Sequence, residues 1–259
     1  MSFESALEQQ RIDDLLRLVR SISGITGSAL DVGSRDGRFS RHLTERYKPV
    51  LALDLQMPSI HYPGIDCVVG DVTALRFPTS SFNLVVCTEV LEHIPPRLLF
   101  KACSELSRVT NDYLLVGVPC DQDIRVGRTT CSTCFAHNPP WGHVNSFSKD
   151  SLRSMFPGML VERESWVGQN TERTNFLSSM LMDMAGNPYG TYGQEETCIR
   201  CGANLVKPLE RMLPQKALTK LAFWVNRPFR MFHGSRPNWI HLLLRKGRSD
   251  APGYRDVKP

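Results

Sequence analysis

Three groups of residues in this chain have types and spacings that could do chemistry. The first is a series of acids and glycines: Asp31-Val-Gly33-Ser34-Arg35-Asp36-Gly37, then Asp54, Asp71, and Thr88-Glu89. Gly33 and Gly37 permit the torsions and close backbone approach that a ligand-bearing turn needs. An acid at Asp54 can accept hydrogen bonds from a ribose diol, and one at Asp71 from an exocyclic amine. The second group is Cys131-Ser-Thr-Cys134 with Cys198-Ile-Arg-Cys201. Two intervening residues let both thiolates of each pair turn toward one centre, and zinc favours four such ligands in a tetrahedron. The third is Glu89-x-x-Glu92-His93, two carboxylates and an imidazole that could bind a divalent ion or position a ligand.

The elements that must position these residues follow from hydrophobic periodicity. Residues 5–22 place Leu7, Ile12, Leu15, Leu16, Val19 and Ile22 at helical spacing. Ala29–Val32, Val50–Leu55, Asp66–Val69, Phe82–Cys87 and Tyr113–Val118 read as strands, and Leu160–Val167 and Ile240–Arg245 as two more. Phe39–Tyr47, Arg97–Arg108 and Ser148–Phe156 read as helices between them. Alternating strands and helices indicate an α/β, doubly wound sheet, and runs as apolar as FNLVVC fit strands buried on both faces. In such sheets ligands lie beyond the carboxyl ends of the strands, where the acids and glycines fall.

At those motifs the chain resembles class I S-adenosylmethionine-dependent methyltransferases. The segments ALDVGSRDGRFSRHL, LALDLQ, VVGDVTALRFPTSSFNLVVCTEVLEHIP and LLVGVP carry the resemblance over roughly residues 10–120, and GHVNSFSKDSL echoes it weakly. It implies a mostly parallel seven-stranded, Rossmann-like sheet whose last strand runs antiparallel. It further implies that Asp31, Gly33, Ser34 and Gly37 surround the methionine part of the cofactor. Asp54 and Leu55 would meet the ribose, Asp71 and Val72 the adenine, and Thr88 the cofactor's edge. Arg35 departs from the family pattern, which commonly has glycine at the middle of the turn. Such an arginine either points outward or crowds the cofactor, so a non-catalytic binding protein is an alternative.

The pattern around Glu89 is similar to that of metal-dependent O-methyltransferases of ubiquinone biosynthesis and of small-RNA 3′-end methyltransferases. It implies Mg²⁺ at Glu89, Glu92 and His93, with His143 as a further ligand. In related enzymes without metal the same acids position the cofactor or cap the next helix. His93 and His143 are candidate general bases in either case, since a neutral imidazole suits a hydroxyl acceptor. The expected activity is O-methylation of a small-molecule, sugar or lipid-linked acceptor, with RNA 3′-end methylation as the alternative.

The resemblance leaves much of the chain to insertions. The expected layout is a cofactor core over 1–118, a first cysteine-bearing insertion over 119–147, a core helix and strand over 148–169, a second insertion over 170–238, and the last strand and a frayed tail over 239–259. The 63 residues between the two cysteine pairs exceed the spacing of a compact zinc ribbon. Both insertions leave the carboxyl edge if the last strand is antiparallel, so structural zinc could tie them together. His137 and His143 are substitute ligands. Cys67, Cys87 and Cys103 read as core, and Cys120 is ambiguous.

Composition narrows the remaining classes. With 41% hydrophobic and 22% charged residues, the chain is neither disordered nor fibrous. No run approaches ~18 apolar residues, so no spanning helix is expected. The polar, acidic first residues lack a leader pattern, so a cytoplasmic protein is expected. The net charge of +5 conceals an asymmetry: residues 199–259 hold 13 Lys and Arg against 3 Asp and Glu. Within that basic end, residues 208–232 interleave cations with Leu218, Leu221, Phe223, Trp224 and Phe229, and Pro214 and Pro228 are expected to break it into pieces. It reads as a peripheral membrane contact, a surface for a phosphorylated or nucleic-acid substrate, or a helical lid.

Overall fold

The computed structural model describes residues 3–247. The tail expected to fray lies, beyond Gly247, outside those residues. In chain order the elements are α1 (Phe3–Arg20), β1 (Gly27–Val32), α2 (Arg38–Leu43), β2 (Tyr47–Asp54), β3 (Ile65–Val69), β4 (Phe82–Thr88), α3 (Pro96–Val109), β5 (Thr110–Pro119), β6 (Thr129–Thr130), β7 (His137–Asn138), α4 (Lys149–Ser154), β8 (Met159–Val167), α5 (Phe176–Met184), α6 (Leu213–Phe232) and β9 (Trp239–Lys246). Short 3₁₀ turns occupy Leu91–His93 and Pro140–Gly142.

Two compact units divide these elements. The first comprises the described parts of Met1–Pro119, Phe147–Gly168 and Trp239–Pro259; the second comprises Cys120–Ser146 and Gln169–Asn238.

The first unit is built on a seven-stranded sheet of order β3-β2-β1-β4-β5-β9-β8. Neighbours from β3 to β5 are parallel, and β9 is antiparallel to both β5 and β8. The expected doubly wound, mostly parallel seven-stranded sheet is therefore present. Chain direction along the sheet reverses between β1 and β4, and the crevice at such a switch point is where open α/β sheets bind ligands. Leu84, Val85, Val86 and Cys87 of β4 are fully buried, as are Leu114, Leu115 and Val116 of β5, because helices cover both faces. Leu15, Leu18, Val19 and Ile22 of the first helical segment pack into the same core as Ala29, Tyr47, Val50 and Leu243. The helix read over Phe39–Tyr47 stops at Leu43: Tyr47 is a buried strand residue paired with Gly27.

In the second unit, β6 and β7 form a small hairpin, and α5 packs on α6. Asn175 caps α5 by accepting from the Ser178 amide at 2.8 Å. Across the helix pair, Ser178 Oγ donates to the Ala222 carbonyl at 2.9 Å, and Asn226 Nδ2 to that of Arg173 at 2.8 Å. The broken segment expected over 208–232 is instead one 20-residue helix, α6. Pro214 falls in its first turn, where no amide donor is needed. Pro228 removes one internal hydrogen bond near the end, and the packing on α5 tolerates it. Among the described residues no helix is long and apolar enough to cross a membrane.

One polar knot fastens α1 to the sheet. His241 on β9 is fully buried, with Nδ1 at 2.7 Å from Asp14 Oδ2. Ser165 of β8 and Arg17 also donate to the Asp14 carboxylate. Burial alone would raise the Asp14 pKa, but the hydrogen bonds from His241, Ser165 and Arg17 outweigh it and hold the acid well below the usual range. Burial lowers the His241 pKa despite Asp14, so the folded ring resists a proton that the unfolded ring accepts below about pH 6.5. Stability is therefore present above that pH and falls below it. The expected result is a lower urea midpoint at about pH 5.5 than at about pH 7.5, with the contribution absent in His241→Gln. Asp14→Asn should cost about 2 kcal/mol at neutral pH in the same titration.

Candidate functional site

The carboxyl edge of the first unit is shaped by the turn after β1. Its Gly33 and Ser34 amides donate to the Leu53 carbonyl at 2.8 and 3.2 Å, which presses the turn against β2. Gly33 has φ +76°, and a Cβ there would stand 2.3 Å from Val90 Cγ2. Only glycine fits this crossing. Asp54 ends β2. Its Oδ1 accepts from the Leu55 amide at 2.7 Å and its Oδ2 from the Arg35 amide at 3.1 Å. Each oxygen keeps a further lone pair for a ligand. Leu55 beside it is 71% exposed, an apolar side chain presented to solvent at the same edge.

Asp31 lies beneath the turn, buried, and accepts from Ser40 Oγ at 2.5 Å. Burial pushes its carboxyl up to about 7 against the opposing pull of that hydrogen bond. Asp71, past β3, is exposed and accepts from the Thr73 amide at 2.8 Å, while Val72 is buried. Thr88 ends β4, and Glu89 follows with a left-handed φ of +57°.

Glu89 accepts from the indole Nε1 of Trp239 at 3.1 Å, and the Arg11 guanidinium lies over that indole at 5.7 Å. Burial raises the Glu89 pKa, with Arg11 and Arg35 pulling it back; burial and then the neighbouring Glu89 raise Glu92 well above the usual range. Arg35 thus acts electrostatically on Glu89, besides bonding Asp54 through its backbone.

Several buried polar atoms in this unit have no protein partner: Ser34 Oγ, Glu89 Oε1, both Glu92 oxygens and Arg11 Nη1. An orphaned buried group costs about 1–3 kcal/mol, so such a cluster in a sheet crevice marks a place for a ligand. Arg11 and Trp239 did not emerge from the motifs. The one available signal was a cation at position 11, four residues before Leu15 in the apolar stripe of α1.

Within this unit Glu92 is buried and His93 exposed, and their ligand atoms lie within 4.8 Å of each other. Glu89 does not join them, and Trp239 holds its Oε2. Magnesium at Glu89, Glu92 and His93 as a set is therefore not supported. His143 belongs to the second unit, where its Nδ1 meets Gln122 Oε1 at 2.6 Å. The carboxamide oxygen can only accept, so Nδ1 carries the proton and Nε2 is the basic nitrogen.

The second unit brings all four cysteines of the Cys-x-x-Cys pairs together. Their sulfurs lie within 4.8 Å of one another, with Cys131 to Cys201 at 3.7 Å and Cys134 to Cys198 at 3.6 Å. A tetrahedral ion with metal–sulfur bonds of about 2.3 Å needs sulfurs about 3.8 Å apart. Two like-shaped knuckles set this spacing. In the first, Cys131 N donates to Ala136 O and Phe135 N to Cys131 O, both at 3.0 Å. In the second, Cys198 N donates to Ala203 O and Gly202 N to Cys198 O, both at 2.9 Å. The residues after Cys134 and Cys201, Phe135 and Gly202, both take left-handed φ. Amides of Cys134 and Thr133 directed at Cys131 Sγ hold that thiol below its ordinary pKa. The substitute ligands His137 and His143 lie outside the thiol group: His137 faces Asp183 at 3.7 Å. Cys87 and Cys103 are buried in the first unit, and Cys67 is half-buried. Cys120 is buried in the second.

Comparison with known proteins bears on family and fold. Residues 30–112 match the model of a methyltransferase domain. Those residues form a methyltransferase domain. Over 88 residues the chain is 32% identical to the ubiquinone biosynthesis O-methyltransferase of Idiomarina loihiensis, covering 29% of this chain. The match spans about a third, 36%, of that relative's length. Among solved structures, a candidate methyltransferase from Bacillus halodurans superposes with a TM-score of 0.57 at 15% identity, over 91% of this chain and 100% of the other. The 1,6-didemethyltoxoflavin N1-methyltransferase of Burkholderia thailandensis gives 0.51 at 12% identity, over 95% and 86%. A [4+2]-cyclase gives 0.50 at 14%, over 92% and 81%. These likenesses concern the fold.

The methyltransferase domain's two edge carboxyls yield a test. Burial and the neighbouring Glu89 raise the folded Glu92 carboxyl above its unfolded value of about 4.3, so wild-type stability is lost as pH rises above that value. Glu92→Gln removes the titration. Its melting temperature relative to wild type should rise between about pH 5 and about pH 8 in scanning calorimetry.

Proposed function

We propose that the chain transfers a methyl group from S-adenosylmethionine to an oxygen of a small-molecule, sugar or lipid-linked acceptor. The observation that carries this reading is the glycine turn bonded to Asp54 beside a cluster of unpartnered buried polar atoms. S-adenosylmethionine supplies an activated methyl group on a sulfonium. The residues that would hold it are Asp31, Gly33, Ser34 and Gly37 at the turn, Asp54 and Leu55 after β2, Asp71 and Val72 after β3, and Thr88 after β4. Asp54 fits a ribose diol because both its oxygens are fixed by amides and still accept. Ser34 Oγ and Arg11 Nη1 are unspent hydrogen-bonding atoms suited to a polar ligand.

The chain's own contribution is positioning, since alignment of donor and acceptor supplies much of the acceleration in such displacements. His93, exposed on the turn after β4, and His143, with basic Nε2, are the candidates to take the acceptor's proton. The O-methyltransferase relative favours oxygen over nitrogen. A lipid-linked acceptor draws support from α6, which has no acidic residue and leaves Leu213, Trp224 and Met231 over 70% exposed beside Lys220 and Arg227.

For the four cysteines we infer one structural zinc ion, because the sulfur spacing and the paired knuckles match a closed thiolate site.

Two measurements test these readings. Calorimetry should show Asp54→Ala binding S-adenosylhomocysteine at least about tenfold more weakly than wild type, given the worth of a charged hydrogen bond; equal affinity removes Asp54 from the site. Elemental analysis should find about one zinc per purified chain, and less in Cys198→Ser. Metal-free wild type would discard the ion.

A further inference from the structure

In the second unit a half-open cavity of about 650 Å³ takes in the basic end of α6. Its wall carries five arginines, Arg125, Arg128, Arg173, Arg227 and Arg230, against one acid, Glu172. Two of the five are already neutralised. Arg125 grips Asp123 through two bonds at 2.8 and 2.9 Å and donates to the Thr174 carbonyl at 2.6 Å. Arg128 meets Asp183 at 3.3 Å. Arg173, Arg227 and Arg230 make no ion pair among the described residues, and Arg173 Nε is buried without a partner. Three guanidiniums without ion pairs lining one cavity give it a positive field that favours an anion.

We propose that this cavity binds a phosphate-bearing group attached to an apolar ligand. A volume of this size suits one small ligand. A single carboxylate would answer one guanidinium, whereas a phosphate monoester or a diphosphate brings about two or more charges and several acceptor oxygens that guanidinium forks match. The apolar part has its own surface: Phe223 and Tyr189, in edge contact at 5.4 Å, and Met231 line the same cavity. Arg227, Arg230, Phe223 and Met231 all come from α6, so the anion-binding and apolar groups share one rigid element. The proposal rests on residues of the second unit alone and does not depend on the methyl-transfer reading.

The shared chemistry has two sources, a soluble phosphorylated molecule or a lipid headgroup. The test uses the full chain and two probes at low salt. Inorganic diphosphate is titrated by calorimetry, and vesicles of phosphatidylcholine with and without phosphatidylglycerol are assayed by co-sedimentation. Arg227→Gln with Arg230→Gln, both exposed and safe for folding, should weaken binding at least about tenfold. Lys207→Gln, exposed in the same unit but neither on α6 nor lining the cavity, should stay within about twofold. Diphosphate binding without vesicle binding supports the proposal and points to a soluble ligand. Binding to the anionic vesicles that free diphosphate displaces supports it and points to a headgroup. Failure of wild type to bind either probe overturns it, as does Lys207→Gln weakening binding as much as the double variant. Binding of S-adenosylhomocysteine by the same samples reports on the first unit, so its loss counts against the methyl-transfer reading and leaves this one standing.

Discussion

Val32 stands opposite Leu53 on one side and Cys87 on the other. That parallel register is the constraint on which the first unit depends. It brings the ends of β1, β2 and β4 level, so a turn leaving β1 can lie across its neighbours. Gly33 makes the crossing feasible, since any side chain there would collide with Val90. The amides freed by the turn are spent on Leu53 and Asp54, which fixes the acid before any ligand arrives. Register, glycine and acid thus form one device, and shifting any strand by a residue would dissolve it.

Much of the fold was legible because buried parallel strands are apolar throughout and bounded by turn residues. All seven sheet strands read from sequence appear, with ends shifted by a few residues. Errors arose where local pattern and tertiary packing disagree. Tyr47 fits the end of a helix by its apolar spacing, yet pairs with Gly27 in the sheet. Pro214 and Pro228 looked like breaks, but one sits in a first turn and α5 supports the helix around the other. The short helix α5 and the β6–β7 hairpin carried too few periodic positions to be seen.

The candidate site was legible only in its contiguous parts. The turn and the acids at strand ends advertise themselves by spacing. Arg11 and Trp239 reach Glu89 from opposite ends of the chain, and no local pattern can report such a meeting. The cysteine pairs illustrate the converse. Their long separation argued against a shared centre, while the matching knuckle bonds around Cys131 and Cys198 give both halves the same local geometry. Because the same fold also serves a [4+2]-cyclase, chemistry must be argued from such side chains and not from the sheet.

Asn170 and Arg236 bond to each other through both backbone amides, at 2.7 and 2.9 Å, near the two ends of the segment that separates β8 from β9. That clasp changes what the connection is. Val167 pairs with Trp239, so β8 and β9 are topologically a hairpin, with some seventy residues where a tight turn would stand. Closing a free loop of that length costs conformational entropy that grows as its logarithm. A segment pinched at its neck and packed within its own unit has met that cost locally. The sheet's last-made strand can therefore register against β5 and β8 as though its partner were only a few residues away.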